Sequence, residues 1–382
     1  MARVSVVVPI YDVEPFVEDC LESIQAQTIR DLEVVMVDDG SHDRSADIAG
    51  EFVELDRRFR LIRQANGGLG HARNVGVQHS NGEFVTFLDS DDMVPPDAYE
   101  RMLAALDATG SEFATGGILR FDGRSTWPTG FLRHVFTRDR PATHVTRFRR
   151  LLSDRMAQNK LWRRDFWERR QMRFPVGVYH EDIPIVLPAH FEARAVDVLS
   201  RPVYLYRSRD AGGPSITQRR AEVRVLRDRV AAVETVLDYL DANGPEGWSV
   251  LYAERVLAED LRYHLQAFGH AGDDYRTEFL ALAGGVLGRV EPRAVAWQPA
   301  IERLKWHLVA GHHAAELLEV LEFERAHRDA LPRRRIAGTW YGDYPFLDDP
   351  GLGIPRSVYH LEGDRRRSRA IDRAVPNAAR QT

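Results

Sequence analysis

Short apolar runs and amphipathic segments alternate through the first hundred residues. The runs are rich in valine, which is typical of strands buried on both faces of a parallel sheet. The segments between them place apolar residues three or four positions apart, as a helix does. The predicted strands are VSVVVPI, LEVVMVD, FRLIRQ and EFVTFLD, and the predicted helices are VEPFVEDCLESIQAQ, SADIAGEFVELD and LGHARNVGVQHS.

This order of elements predicts an α/β fold, with a doubly wound, mostly parallel, Rossmann-like sheet and right-handed crossovers. In such sheets ligands bind beyond the carboxyl ends of the strands. Three polar clusters, PIYD, VDDGS and LDSDD, stand where predicted strands end. We therefore expect the functional site at that edge of the sheet.

The pattern changes near residue 219, where long amphipathic helical segments begin. We expect an α/β domain over residues 1–218, a smaller helical domain over 219–331, and an extended Pro-, Gly- and Arg-rich tail or linker over 332–382. The helical domain would position an acceptor or form a homo-oligomer, and a simple packed core is the alternative. The arginine runs 333–335 and 365–367 are candidates for contact with anionic polymer or lipid headgroups. A solvated linker is the alternative.

Composition narrows the partners and the compartment. The 382 residues carry a formal net charge of −5, so no global positive field attracts nucleic acid and we expect no nucleic-acid partner. The single cysteine, Cys20, excludes an intrachain disulfide and fits a reducing compartment. We read the N-terminal apolar run as a strand, and no stretch approaches the roughly 18 apolar residues of a spanning helix. We therefore expect a cytoplasmic protein, with peripheral contact at the inner membrane face left open.

The LDSDD cluster suggests a metal site. Asp89 and Asp91 flank one residue, so both side chains point to the same side of an extended strand end. Two neighbouring carboxylates need a cation, and Mg²⁺ and Mn²⁺ prefer oxygen ligands that substrate phosphates often complete. An acidic turn that caps the next helix is the alternative.

Two other clusters suggest a nucleotide. In VDDGSHD, Asp39 could accept hydrogen bonds from a base or a ribose, although acids here also cap helices. In NGGLGHARNVG, Asn66 could bond a base edge, and Arg73 near a helix start suits a phosphate. A glycine loop with a surface arginine is the alternative for this segment.

Taken together, VVVPIYD, VDDGSHD, NGGLGHARNVG and FLDSDD resemble, in order and spacing, the family 2 glycosyltransferases with the A-type nucleotide-sugar fold. The resemblance covers the first hundred residues closely and extends more loosely to about Thr217. It implies that the acids of the D-x-D, Asp89 and Asp91, meet ribose and a Mn²⁺ or Mg²⁺ ion. It also implies that the nucleotide, usually uridine diphosphate, is held by Pro9, Tyr11, Asp39, Asn66, Arg73 and Asp89.

The resemblance extends to three later segments. YHEDIPI matches an acidic pair, which makes Asp182 the general base of an inverting reaction and Glu181 its partner near the metal or the acceptor. A helix N-terminal acid pair is the alternative. QNKLW resembles an acceptor-side segment, and YLYRSRDAGGPSIT resembles a lid in which Arg207 and Ser215 meet the diphosphate, or else a mobile basic loop.

The function implied is a metal-dependent inverting hexosyl- or N-acetylhexosaminyltransferase. It would move sugar from a UDP-sugar to a hydroxyl of a cell-wall or cell-surface polymer, such as a teichoic-acid-like polyol phosphate, or to a lipid-linked glycan. One alternative is a degenerate module that binds nucleotide or glycan without catalysis. Another is a sugar nucleotidyltransferase, which would want a glycine-rich basic loop where this chain has PIYDVEPF. A processive synthase is disfavoured because the chain has no Q-x-x-R-W element.

Overall fold

A computed structural model describes residues 2–208 and 219–361. The chain divides into two compact units, 1–218 and 219–382. Ser215, the rest of the expected lid from residue 209, and the arginine run 365–367 lie outside the described residues.

The first unit is built on a nine-stranded mixed sheet in the order β3-β2-β1-β4-β8-β5-β9-β7, with β6 paired to β5. The strands are β1 (Val4–Ile10), β2 (Leu32–Asp38), β3 (Phe59–Arg63), β4 (Phe84–Phe87), β5 (Phe113–Phe121), β6 (Thr126–Pro128), β7 (Arg140–Thr143), β8 (Lys160–Arg163) and β9 (Val196–Arg207). The helices are α1 (Val17–Gln25), α2 (Ser45–Leu55), α3 (Leu69–Gln78), α4 (Ala98–Thr109), α5 (Arg164–Arg169) and α6 (Ile183–Glu192).

The first four strands are parallel, with β1 between β2 and β4. This confirms the predicted doubly wound α/β fold. All seven residues of β1 are buried, as its continuous apolar run predicts. Helix α3 lies close against β1, because a Cβ on Gly76 would fall 2.2 Å from Cγ1 of Val7. Only glycine allows that approach.

The second half of the sheet is less regular. Strand β8 runs antiparallel to both β4 and β5, and so brings the segment before it back to the edge where β4 ends. Strand β9 is parallel to β5 and antiparallel to β7 at the sheet edge. A hydrophobic core of Phe87, Phe113, Trp162, Phe166 and Trp167 supports this half.

The second unit is helical in its larger part. Its helices are α7 (Val223–Asn243), α8 (Trp248–Arg255), α9 (Leu261–Phe268), α10 (Asp273–Arg289), α11 (Pro292–Ala296), α12 (Ala300–Ala310) and α13 (Ala314–Ala326), and a π-helical turn, Val256–Asp260, joins α8 to α9. The amphipathic pattern predicts the buried stripe of α7, which includes Val230, Val233, Leu237 and Leu240.

Residues 332–361, where we expected an extended segment, hold a β-hairpin and a short 3₁₀-helix. The hairpin pairs β10 (Arg333–Ile336) with β11 (Thr339–Gly342), and its turn carries Gly338 at φ +89°. Arg303 of α12 donates hydrogen bonds to the carbonyls of Val358 and His360, and Tyr359 is fully buried. The glycines that predicted an extended segment serve tight turns instead.

Within the described ranges, no helix has both the length and the apolar character needed to cross a membrane.

Candidate active site

The carboxyl ends of β1, β2 and β4 meet at one edge, as parallel pairing requires. The amide of Asp39 donates to the carbonyl of Ile10 over 2.8 Å, and the amide of Leu88 donates to the carbonyl of Val7 over 3.0 Å. The three polar clusters found in the sequence therefore follow neighbouring strands.

Asp39 organises the glycine loop after β3. One carboxylate oxygen accepts hydrogen bonds from the amide of Gly67, at 2.9 Å, and from Nε2 of Gln64, at 2.7 Å. The other accepts from the amide of Gly68 at 2.7 Å, where φ is +85° and suits glycine. The buried carboxylate thus fixes the loop that presents exposed Asn66. Direct contacts of Asp39 and Asn66 with a nucleotide stay predictions.

Tyr11 is an exposed aromatic ring at this edge, while Pro9 is buried in β1. Tyr11 is 43% exposed and meets the His42 ring edge-on, with centroids 6.1 Å apart. The neighbouring Asp12 carboxylate raises the pKa of the Tyr11 phenol. Asp12 also accepts a hydrogen bond from the amide of His42 at 2.7 Å, so the loops after β1 and β2 hold each other.

Arg73 of α3 is the centre of the acid cluster. Its side chain is fully buried, and Nη1 lies 2.6 Å from Oε1 of Glu181 and 2.6 Å from Oδ1 of Asp182. Nη2 lies 2.7 Å from Oδ1 of Asp89. The rings of Phe174 and Phe87 lie 5.2 and 6.0 Å from the guanidinium carbon. The structure therefore joins four of the predicted site residues through charge-assisted hydrogen bonds.

This arrangement rules out the alternative for this segment, a glycine loop with a surface arginine, because Arg73 is fully buried. In the described conformation Arg73 has no exposed surface through which to meet a phosphate. Its role as a nucleotide ligand stays a prediction, and its visible role is to hold three carboxylates together. The reason is electrostatic, because three carboxylates can approach one another only around a cation.

Burial perturbs both acids of the HED segment. Burial raises the pKa of Glu181 from its ordinary 4.5 to about 7, a rise that Asp182 reinforces and Arg73 opposes. Burial also raises the pKa of Asp182, again against the effect of Arg73. A carboxylate with a raised pKa binds a proton more strongly than an ordinary one, and such shifts are common at functional sites.

The segment before β8 supports the two central acids. Nε2 of Gln158 donates to Oδ2 of Asp89 over 2.7 Å, and the amide of Ala157 donates to Oδ2 of Asp182 over 3.1 Å. Fully buried Lys160 pins this segment, donating to the carbonyl of Met156 at 2.6 Å and to Oδ1 of Asp154 at 2.8 Å. The NKL motif thus places groups that fix the orientation of Asp89 and Asp182.

Asn74, one residue after Arg73, fixes the approach to the HED segment. Its amide donates to the carbonyl of Phe174 over 2.8 Å and its oxygen accepts from the amide of Phe174 over 2.9 Å. A Cβ on Gly70 would lie 2.2 Å from the carbonyl oxygen of Pro175. One face of α3 therefore contacts both the acid cluster and the segment that leads to it.

Arg207 and Asp92 form a second buried contact at the end of β9. The amide of Arg207 and the hydroxyl of Tyr204 donate to the two oxygens of Asp92, at 2.7 and 2.5 Å. Burial, with Asp91 and Asp89 nearby, raises the pKa of Asp92 well above its usual range. The Arg207 guanidinium donates to the carbonyl of Asp91 at 2.7 Å and to Asp19 at 2.8 Å. Its predicted contact with a diphosphate is untested, since residues 209–218 are outside the described part.

A metal site made of protein alone is not present in the described residues, where no three His, Cys, Asp or Glu side chains group closely enough to hold an ion. Asp89 has one hydrogen bond on each oxygen, which leaves each a further lone pair. Asp89 and Asp91 could therefore supply the one or two carboxylate ligands that suit Mg²⁺ or Mn²⁺ when substrate phosphates complete the coordination shell.

Sequence reasoning missed the supporting roles of Gln64, Asn74 and Ala157. It included Asp92, Gln158, Lys160 and Tyr204 within its motifs but did not predict their contacts. Most act through backbone contacts between distant segments, which no local pattern reveals. Asp92 and Lys160 did carry a signal, since a charged residue within or beside an apolar run needs a buried partner.

Comparison with known proteins agrees with this geometry. Residues 5–170 match the family described as glycosyl transferase family 2. The chain is 35% identical over 255 residues to the putative glycosyltransferase EpsH of Bacillus subtilis, an alignment that covers 63% of this chain and 70% of EpsH. It is 25% identical over 209 residues to the poly(ribitol-phosphate) beta-glucosyltransferase of Bacillus spizizenii, covering 53% of this chain and 32% of that one.

Among solved structures, residues 1–349 of TarS from S. aureus in complex with UDP-GlcNAc superpose with a TM-score of 0.70 at 21% identity, covering 90% of this chain and 97% of that one. At this identity the likeness shows the fold, an A-type glycosyltransferase fold. The chain belongs to glycosyl transferase family 2 and is a glycosyltransferase. This confirms the family predicted from the motifs.

Proposed function

We propose that this enzyme transfers a hexosyl or N-acetylhexosaminyl group from a UDP-sugar to a hydroxyl of a cell-wall or cell-surface polymer, with inversion. The observation that supports the reaction is the convergence of Asp89, Glu181 and Asp182 on buried Arg73. These acids come from two segments about ninety residues apart, and they meet at the sheet edge where ligands of such folds bind.

Asp182 is the proposed general base. Its Oδ1 faces Arg73 and its Oδ2 accepts from the amide of Ala157, so the carboxylate is fixed at both oxygens and keeps a lone pair on each. A free lone pair takes the proton of the acceptor hydroxyl as that oxygen attacks the anomeric carbon and UDP departs. Because burial raises the pKa of Asp182, the proton transfer is more favourable than to an ordinary aspartate.

Arg73 sets the strength of that base. The guanidinium keeps Asp182 ionised in a buried site, and it divides its charge among three carboxylates. Glu181 is the residue whose protonation changes this balance, because its pKa lies near 7. Glu181 is thus a positioning and tuning residue beside the base.

Asp39, Asn66, Tyr11 and Pro9 form the proposed nucleoside side of the site. The support is that exposed Tyr11 and exposed Asn66 flank the edge at which Asp39 holds the glycine loop. A ring such as Tyr11 can stack on a uracil, and an amide such as Asn66 can bond its edge.

Asp91, with Asp89, would hold a Mn²⁺ or Mg²⁺ ion, and a bound ion would neutralise the charge that develops on the departing diphosphate. Arg207 and Ser215 are the proposed diphosphate contacts.

The polymer acceptor is proposed from the relatives. The name of the Bacillus spizizenii relative gives poly(ribitol phosphate) as its acceptor. A polyol phosphate is therefore the first acceptor to test, and a lipid-linked glycan is the second. We place the reaction in the cytoplasm, at the inner face of the membrane where such acceptors would be reached.

The experiment is a panel of UDP- and GDP-sugars, measured for binding and slow donor hydrolysis with and without Mn²⁺. We expect one UDP-sugar to bind and be cleaved only with metal, and Asp91→Ala to abolish cleavage. Asp31→Ala, an exposed acid where β2 begins, is the matched control and should behave as wild type. If no nucleotide sugar binds with any metal, the proposal fails and a non-catalytic binding module becomes the better account.

A further inference from the structure

The segment from Arg133 to Arg155 has a charge opposite to that of the whole chain. It contains seven arginines and two aspartates, in a protein with a formal net charge of −5. One aspartate, Asp154, is fully buried and paired with Lys160, so it does not offset the arginines at the surface. The segment therefore carries a local excess of positive charge.

Part of this segment lines a pocket of about 380 Å³ around the start of β7. Its charged lining consists of Arg138, Asp139, Arg140 and Arg147. We call these three arginines the arginine pocket. Asp139 adds one negative charge to this lining, while its Oδ1 accepts hydrogen bonds from the amide and the hydroxyl of Ser200, both at 2.7 Å. Three arginines against one aspartate leave the lining with an excess of positive charge.

None of the three arginines forms an ion pair with a carboxylate among the described residues. Arg147 donates instead to the carbonyl of Ala142 at 2.9 Å. The Arg140 guanidinium stacks on Phe148, 4.0 Å from the ring centroid, and its buried Nε has no hydrogen-bond acceptor in the described part of the chain.

The positive charges of neighbouring arginines act on Arg140. Burial, then the positive charges of Arg138 and Arg150, lower the pKa of Arg140 from its ordinary value. Arginines that line one pocket repel one another unless an anion lies between them, and a guanidinium group can bind two phosphate oxygens at once. A phosphate group is the anion whose shape and charge this pocket fits.

The pocket lies at the other end of β9 from the acid cluster. Arg140 pairs with Val198, whereas the amide of Arg207 binds Asp92 beside the D-x-D. At about 3.3 Å per residue, nine residues of strand separate the two by roughly 30 Å. A phosphate of the donor cannot reach both places, but a polymer with a phosphate in every repeat can.

We propose that the arginine pocket is a second binding site for the phosphodiester groups of a polyanionic acceptor, remote from the reacting end. This inference rests on the proposed function for its choice of a polyol-phosphate acceptor. The pocket would hold the chain of the acceptor while a distal repeat occupies the acid cluster, so it would lower the KM for polymer and leave the chemical step alone.

The test uses the full chain with Arg138→Glu and Arg147→Glu combined, which keeps half-buried Arg140 and its stacking on Phe148. The matched control is Arg30→Glu, an exposed arginine in the loop before β2 that lines no such pocket. Binding to poly(ribitol phosphate), to phosphatidylglycerol vesicles and to inorganic phosphate is measured at two salt concentrations, and donor hydrolysis without acceptor is measured in parallel.

We expect the double variant to bind poly(ribitol phosphate) at least about tenfold more weakly than wild type, because two charges that attract the polyanion become charges that repel it. The difference should shrink at high salt, Arg30→Glu should match wild type, and thermal melting should show all three folded. With polymer as acceptor, KM should rise and kcat should hold.

Equal polymer binding by the double variant and wild type would overturn the proposal. Loss of vesicle binding with unchanged polymer binding would also overturn it, since the phosphate would then belong to a lipid headgroup. Activity measurements separate the arginine-pocket proposal from the proposed function. If wild type transfers sugar and the double variant does so with the same KM for polymer, only the pocket proposal fails. A wild type that binds polymer through the arginines but cleaves no donor sinks the proposed function alone.

Discussion

Two groups of arginines in the first unit have opposite surroundings. Arg73 is fully buried and lies within 2.7 Å of three carboxylates. Arg138 and Arg147 are exposed beside half-buried Arg140, and none of the three forms an ion pair with a carboxylate among the described residues. A buried cation is tolerated only where anions surround it, so Arg73 is part of the architecture of the site. The unbalanced group keeps its charge available, which suits an anion from outside.

The largest difference should appear when each cation is removed. Arg73→Met leaves buried Glu181 and half-buried Asp89 and Asp182 without their shared cation. We therefore expect a loss of about 3–5 kcal/mol in the free energy of unfolding and loss of donor cleavage. Urea unfolding at pH 7.5 and pH 5 measures this. The deficit should be smaller at pH 5, where more of the carboxyls are protonated. A variant as stable as wild type would mean that the cluster is not held by Arg73.

The second prediction concerns pH. Because the pKa of Glu181 is raised to about 7, this group is protonated in the folded enzyme below that pH. Arg73 then attracts Asp182 more strongly and makes it a weaker base, so kcat should fall as the pH drops through about 7 and then level off at a lower value. Glu181→Gln should remove this limb of the profile, and a limb that persists in that variant would assign it to another group.

The raised pKa of Glu181 makes stability fall with rising pH, whereas kcat rises. The folded-state pKa of Glu181 lies above its ordinary 4.5, so its stabilising contribution is complete below pH 4.5 and is lost as the pH rises through about 7. Glu181→Gln should therefore lessen the fall in stability between pH 5 and pH 8, as measured by thermal melting across that range.

The third prediction separates Asp39 from the acid cluster. Asp39→Asn keeps one acceptor oxygen and loses the other, so one glycine-loop amide loses its partner. We expect a loss of about 1–2 kcal/mol in the free energy of unfolding, and UDP binding about five- to tenfold weaker because the loop carries Asn66. Urea unfolding and titration with UDP measure the two effects. Asp31→Asn is the control, and unchanged UDP binding would remove Asp39 from the nucleotide site.

The smallest expected effect sharpens the comparison. Arg138→Met should change the free energy of unfolding by no more than about 0.5 kcal/mol, because no partner in the described structure is lost. A loss similar to that of Arg73→Met would show that Arg138 has a structural role and would remove the contrast between the two groups.

The sequence predicted the parallel half of the fold well because its evidence is local. The runs around β1, β2 and β4 are apolar without interruption, and the acids that follow them must come to one edge. The antiparallel insertion of β8 was not predictable from KLWR alone, since its place depends on pairing with β4 and β5.

The sequence predicted which residues belong to the candidate site but not which of them contact one another. Asp89, Glu181 and Asp182 were identified from their motifs, yet nothing in NGGLGHARNVG indicates that Arg73 faces inward. Its burial depends on the close packing of α3 against β1 at Gly76 and against Pro175 at Gly70. The arginine pocket was also invisible, because the lack of carboxylate partners is a property of the folded surface.

The central claim is that Asp182 takes the proton of the acceptor hydroxyl. The most direct measurement is the single-turnover rate of sugar transfer from the preferred UDP-sugar to poly(ribitol phosphate), for wild type, Asp182→Asn and the Asp31→Asn control. The account predicts a loss of about 10²–10⁴-fold for Asp182→Asn, with UDP binding unchanged and a cooperative melting transition that shows a folded protein. Transfer by Asp182→Asn at the wild-type rate would contradict the account and remove Asp182 as the base.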